Sequence, residues 1–246
     1  VGYGFKLKAF KAGLQPFLHH QERLSMSIAD NIANNLAAVR ARIQAATLPL
    51  RPPAQLVAVS KRFPVAALEQ AAAAGQVDFG ENYVQEALPK IAAHPEWTWH
   101  FIGPIQSNKT RAIAEHFAWV HSVENLRIAQ RLSDQRPAHL PPLKLCVQVN
   151  TSGEASKSGC APNETLALCA QIKALPRLDL QGLMTLPEAG FGETGFALLA
   201  DLARQANLTV LSMGMSDDLE AAIAHGATHV RVGSAIFGTR LAAGAS

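Results

Sequence analysis

The stretch Leu56-Val-Ala-Val-Ser-Lys61 decides the architecture. Its apolar residues read as a buried strand, and the run ends in a serine and a lysine. Inside a continuous core a lone ammonium is costly. At the mouth of a barrel, the last residue of a strand faces a ligand instead. Placed there, Lys61 is an amine held for covalent chemistry with a carbonyl. The alternative for this stretch alone is a lysine snorkelling from a strand end into solvent.

The chain around it alternates regularly. From Ser27 to Ala46, residues Ile28, Ile32, Leu36, Val39 and Ile43 recur at three- and four-residue steps, the pattern of an amphipathic helix with Ser27 as its N-cap. After the Lys61 strand, Pro64–Ala74 reads as a helix opened by a proline and closed by Gly75. Strands are expected at 78–82, 97–103, 119–123, 143–150, 178–186, 209–214 and 229–237. Helices are expected between them at 84–93, 108–116, 124–136, 164–174, 196–205 and 217–225. Such alternation argues for a parallel sheet. About eight units in 246 residues point to α/β architecture as a single (β/α)8 TIM-type barrel with an extra N-terminal helix. A doubly wound open sheet ranks second, because no G-x-G-x-x-G follows the first strand.

Composition narrows the function classes. Hydrophobic residues make up 48% and charged residues 17%, enough for a core and against disorder. No apolar run is long enough to span a bilayer. Cys146, Cys160 and Cys169 show no C-x-x-C spacing, which fits a reducing cytoplasm and argues against a disulfide framework or structural zinc. The net charge of +3 resides in residues 1–25, where Lys6, Lys8, Lys11 and Arg23 face Glu22 alone. The remaining chain is formally neutral, a poor match for a phosphate backbone, so no nucleic-acid partner is expected. Residues 1–25 are set apart as an extension, with the barrel domain expected over 26–246.

In barrels of this kind ligands bind at the carboxyl ends of the strands. Those ends carry Lys61, Asn82, His100 with Gly103, Ser122, Asn150, Met184, Ser212 with Gly214, and Arg231 with Gly233. One lysine, no acidic cluster, and glycine and serine near strands seven and eight suit an aldehyde-bearing phosphate ester. Gly214 permits a sharp turn, and the segment Met215-Ser216-Asp217-Asp218 then opens a helix. With Gly233 and Ser234 it frames the position where such barrels commonly hold phosphate. Ser216-Asp217-Asp218 also reads as an ordinary helix cap, and the two roles are compatible.

The motifs AVSK at 58–61, FGENYVQE at 79–86, WHFIGPIQSNK at 99–109 and S-x-E-x-x-K-x-G at 152–159 carry a specific resemblance. GLMTLP at 182–187, LSMGMSDDLEAAI at 211–223 and RVGSAIFGTR at 231–240 extend it to the end of the barrel. The chain resembles the pyridoxal-phosphate homeostasis proteins, whose barrel is similar to the N-terminal domain of alanine racemases (fold-type III). That resemblance implies pyridoxal 5'-phosphate as cofactor and Lys61 as the Schiff-base lysine. Ser212, Gly214, Met215, Ser216, Gly233 and Ser234 would surround the phosphate, Arg231 would face the pyridine nitrogen, and Asn82 and Met184 would line the ring. It further implies a monomeric cytoplasmic protein that stores, buffers or delivers the cofactor, with PLP-dependent apoenzymes as recipients.

The leading alternative is a minimal racemase or lyase in which Lys61 shuttles a proton. A barrel holding a phosphate ligand without covalent chemistry comes third. An arginine against the ring nitrogen disfavours its protonation and weakens the ring as an electron sink, which counts against an aminotransferase. The competing reading of Arg231 is a rim salt bridge. His100, beside two tryptophans, reads as packed and hydrogen-bonded rather than as a general base. Lys157 is a second lysine near the mouth or a solvated loop residue. The segment between Pro187 and Leu211 is several residues shorter than the family's pattern, which implies a truncated sixth helix or a trimmed loop.

Overall fold

The computed structural model describes residues 31–154, 158–188 and 192–238. The expected cap at Ser27 and the first helical position at Ile28 lie outside them, as do the 1–25 extension and Lys157. Helix α1 (31–46) leads into β1 (Gln55–Val59), α2 (Val65–Ala73), β2 (Asp78–Glu81), α3 (Val84–Ala93) and β3 (Thr98–Phe101). Next come α4 (Thr110–His116), β4 (Trp119–Val123), α5 (Leu126–Gln135), β5 (Leu143–Gln148) and α6 (Thr165–Lys173). The chain continues through β6 (Leu178–Met184), α7 (Gly192–Gln205), β7 (Val210–Ser212), α8 (Leu219–Ala224), β8 (His229–Val232) and α9 (Ser234–Phe237).

Each strand pairs in parallel with its neighbours in sequence, and β8 returns to β1 through the register Gln55↔His229 to Ala58↔Val232, closing the barrel. It is the TIM-type (β/α)8 barrel, with α1 in front. Ile32, Leu36, Val39 and Ile43 of α1 are all buried, so the three-and-four spacing did mark its inner face. Helix α2 has Pro64 as N-cap and Gly75 just past its end at φ +80°, the left-handed conformation glycine adopts without strain.

Two sequence expectations need correction. The last strand stops at Val232 instead of running to Phe237, and Ser234–Phe237 forms a helical turn. A short apolar run does not by itself distinguish strand from helix. The helix between β6 and β7 is longer than the expected 196–205: it spans Gly192–Gln205, 14 residues. Gly192 and Gly195 made that first turn look like loop.

Two apolar regions result. The larger lies between strands and helices, with Phe79, Phe101, Leu145, Leu183, Phe196 and Val230 among its buried members. The smaller contains Trp119, Cys146, Met184 and Val210. Its surroundings are polar, because His100, His121 and His229 pack round Trp119 and one another with ring centroids 5.2–6.5 Å apart. Strands β3 and β4 do not adjoin β8, so rings from all three meet only by pointing into the lumen. Burial holds all three histidines below their ordinary pKa, His229 at about 4.

This carries a stability prediction. An unfolded histidine takes up a proton near pH 6.5, whereas the folded, buried ones resist it. Their contribution is therefore intact above about pH 6.5 and is lost as pH falls toward the depressed folded values. At about 1.4 kcal/mol per pH unit, a shift to about 4 makes His229 alone a term of about 3 kcal/mol. Thermal unfolding of His229→Gln should show a shallower loss of Tm than wild type between about pH 6.5 and 4.5. Parallel curves would contradict the assignment.

Candidate functional site

A cavity of about 350 Å³ opens at the carboxyl ends of the strands, within the size range of small-ligand sites. Lys61, Asn82, Met215, Ser216, Arg231, Gly233 and Ser234 line it, together with the apolar Val59, Phe63, Ile102 and Leu186. The structure thus brings together the lysine, the arginine and both serine-bearing loops. Met184, Ser212 and Gly214 are fully or largely buried and are not part of the lining. Met184 belongs to the lumen cluster with Trp119 and Cys146. The Ser212 hydroxyl sits between His121 Nδ1 and Arg231 Nη1, 2.7 Å from each.

Lys61 follows β1, and the backbone on both sides of it is held. On one side, the Ser60 carbonyl accepts from Lys90 Nζ at 2.9 Å while its hydroxyl donates to Glu81 Oε1 at 2.7 Å. On the other, the Arg62 amide donates to Glu86, and Arg62 takes φ +65°. Lys90 joins these anchors, reaching Glu81 at 2.7 Å and Glu86 at 2.9 Å. Burial raises the Glu81 carboxyl, opposed by Lys90 and Ser60, which pull it back down. The amine is thereby carried on a rigid peptide while its side chain stays half-buried at the cavity.

Arg231, 4% exposed, donates from Nη1 to Ser212 Oγ at 2.7 Å and from Nη2 to the Thr185 carbonyl at 2.9 Å. No carboxylate pairs with it among the described residues, so the rim salt bridge considered from sequence is not what holds it. Burial lowers its guanidinium to about 10, still a cation at neutral pH. Asn82 lines this same cavity, and its buried Oδ1 has no hydrogen-bond partner among the described residues. Such an atom calls for a donor from a ligand or water.

The two loops at β7 and β8 meet through Ser216 Oγ and Ser234 Oγ, 3.2 Å apart. Gly214 has φ +94°, its carbonyl accepts from the Arg231 amide, and a Cβ there would come within 2.6 Å of Ala222 Cβ. Met215 N donates to Asp218 Oδ1 at 2.6 Å, but Asp218, the N-cap of α8, makes no side-chain hydrogen bond to the helix, so the ordinary cap read from sequence is not formed. Asp217 adds an acidic group to the lining.

Sequence reasoning missed the supports of these loops. Arg42 of α1 forks onto Glu220 at 2.6 and 2.9 Å and donates to the Ser216 carbonyl at 2.9 Å. Asn35 donates to the Ile236 carbonyl at 2.9 Å. Both look like ordinary polar positions of an amphipathic helix. The Glu86–Lys90 spacing of four was the one visible hint of the cluster behind Lys61.

A half-buried amine, a buried cation with no carboxylate partner among the described residues and serine-bearing loops meet around one cavity of a (β/α)8 barrel, a set of groups suited to a small anionic ligand. The family model for the N-terminal domain of alanine racemase matches residues 29–241. The Pseudomonas aeruginosa pyridoxal phosphate homeostasis protein is 59% identical over 224 residues, covering 87% of this chain and 96% of that protein. Its Escherichia coli counterpart is 48% identical over 231 residues, covering 86% and 97%. Among solved structures, PipY of Synechococcus elongatus with PLP bound is 40% identical with a TM-score of 0.72, covering 84% of this chain and 99% of that one. Alanine racemase of Corynebacterium glutamicum, at 20% identity and a TM-score of 0.65, shares the fold. The chain belongs to the alanine racemase N-terminal domain family, among its pyridoxal phosphate homeostasis proteins.

Breaking the cluster behind Lys61 should be costly. Lys90→Met leaves Glu81 buried and unpaired, and removing one partner of a buried ion pair typically costs about 3–5 kcal/mol. Urea unfolding at neutral pH should show a loss of that order. A loss under about 1 kcal/mol would place the pair in the class of weak surface bridges.

Proposed function

We propose that this chain binds pyridoxal 5'-phosphate at the barrel mouth, with Lys61 Nζ capturing its aldehyde. We infer that it stores, buffers or delivers the cofactor in the cytoplasm as a monomer, without robust turnover of its own. The observation that carries the reading is Lys61 and Arg231 facing one cavity of about 350 Å³. A relative that is 40% identical and was solved with PLP bound supports it.

When bound, the cofactor supplies an electrophilic carbon and a pyridine ring able to draw electrons from an attached amino acid. In this reading Lys61 would hold the cofactor through its amine, the nucleophile that its aldehyde carbon would meet. Ser216, Ser234 and the Gly214–Met215 and Gly233 backbone would surround the phosphate, and Asn82 would meet the ring. Met184 and Ser212, buried behind the lining, would act through the lumen cluster and through Arg231. Arg231 would face the ring nitrogen and, as a cation, would oppose its protonation and leave the ring a weak electron sink. That favours a holder and donor of cofactor, with PLP-dependent apoenzymes as recipients.

A racemase needs proton transfer on both faces of its substrate. Tyr83, the tyrosine of the FGENY turn, is 47% exposed and does not line the cavity, which favours the binding role over the enzyme. Among the described residues no helix is long and apolar enough to cross a membrane, and no cluster is suited to a metal ion.

Titration of the purified protein with PLP should produce a saturable visible absorption band that Lys61→Ala abolishes while far-UV circular dichroism stays unchanged. No band at excess cofactor would overturn the binding role. Alanine racemisation should stay at the level of the protein-free control. Racemisation by wild type that disappears in Lys61→Ala would make the protein an enzyme.

A further inference from the structure

The lumen holds a polar chain that the cofactor site does not account for. At its far end Asp78, the first residue of β2, places Oδ1 3.1 Å from His100 Nε2. His100 Nδ1 lies 3.0 Å from His121 Nε2, and His121 Nδ1 lies 2.7 Å from Ser212 Oγ. Ser212 in turn accepts from Arg231 Nη1 at 2.7 Å. The contacts run from the amino-terminal face of the barrel to the guanidinium at the cavity. Both histidines and Ser212 are fully buried.

Donor and acceptor chemistry leaves one arrangement of protons. Arginine only donates, so Ser212 uses one lone pair toward Arg231, and its hydrogen is free for His121 Nδ1 once the Asp78 end fixes the direction. A neutral His121 with an accepting Nδ1 carries its proton on Nε2 and donates to His100 Nδ1. His100 then also carries its proton on Nε2 and donates to the Asp78 carboxylate. The reverse order would aim a bare ring nitrogen at that carboxylate, or require a buried cationic histidine. Burial opposes the charged form of both rings, and Lys144, His229 and Arg231 add like-charge repulsion around them; Asp78 alone pulls the other way. Cys146 and Asp218 are the acidic groups whose fields reach Arg231, while Arg40 borders the groove beside Asp78.

We propose that Asp78, His100, His121 and Ser212 are positioning residues for Arg231, a one-directional hydrogen-bond relay through the barrel core. Asp78 supplies the negative end for a buried cation that has no direct counter-ion among the described residues. The oriented bonds fix which way the guanidinium points. Through Arg231, charge at the amino-terminal face reaches the ring nitrogen of the cofactor, a last link that rests on the function proposed above.

Two readouts test it. In cofactor-free protein labelled with 15N-histidine, NMR should find His100 and His121 neutral and protonated on Nε2 from about pH 6 to 8. In Asp78→Asn, whose amide both donates and accepts, His100 should lose that single tautomer. A wild-type His100 or His121 protonated on Nδ1 would overturn the relay. In protein loaded with PLP, Asp78→Asn should lower the pH midpoint of the visible absorption change by roughly half a unit, because an opposing negative charge is gone. Adding Asp78→Asn to Ser212→Ala, which cuts the relay, should produce no further shift. An unchanged midpoint in Asp78→Asn, or full additivity with Ser212→Ala, would reduce the chain to a structural role. Absence of any absorption band in wild type would remove the cofactor reading, while the NMR result still decides the relay.

Discussion

Closure of the barrel through β1 and β8 is the constraint from which the site follows. The two strands are the first and last of the sheet, and their pairing sets Val57 opposite Arg231 and Ala58 opposite Val232. That register delivers Lys61, just past the end of β1, and Arg231, inside β8, to one cavity. An open sheet would leave them on opposite edges. Parallel strands also put every carboxyl end at the same face, so the residues best placed for chemistry collect there without any local sequence proximity.

A closed lumen lined by histidine, serine and arginine carries a desolvation cost, and the structure offsets it with directed bonds more than with ion pairs. Arg231 is held by a hydroxyl and a carbonyl. The buried Lys90–Glu81 pair is weak evidence for stability on general grounds. Its evident effect is geometric, because it ties down the peptides that flank Lys61. Helix α1 performs the same service for the β7 and β8 loops through Arg42 and Asn35. An amine and loops preset in this way would lose little conformational freedom on binding a ligand.

Much of this was legible in the chain. The strand and helix alternation, the inner face of α1 and the role of strand ends follow from periodicity, which local sequence reports directly. Lys61 stood out because a buried strand rarely ends in lysine without a reason. The relay was not legible: Asp78, His100, His121, Ser212 and Arg231 come from β2, β3, β4, β7 and β8, and only the closed barrel joins them. His100 was read as a packed residue, and it is packed; its partners depend on tertiary structure. The turn after Val232 and the early start of α7 at Gly192 were misread because glycine and short apolar runs carry little information about which backbone conformation they adopt.

The central claim is that Lys61 is the amine that takes the cofactor. Reduction of the PLP-loaded protein with borohydride, followed by peptide mass mapping, tests it most directly. The account predicts a pyridoxyl adduct confined to the peptide that contains Lys61. An adduct on another lysine, Lys109 or Lys157 for example, with Lys61 unmodified would contradict it.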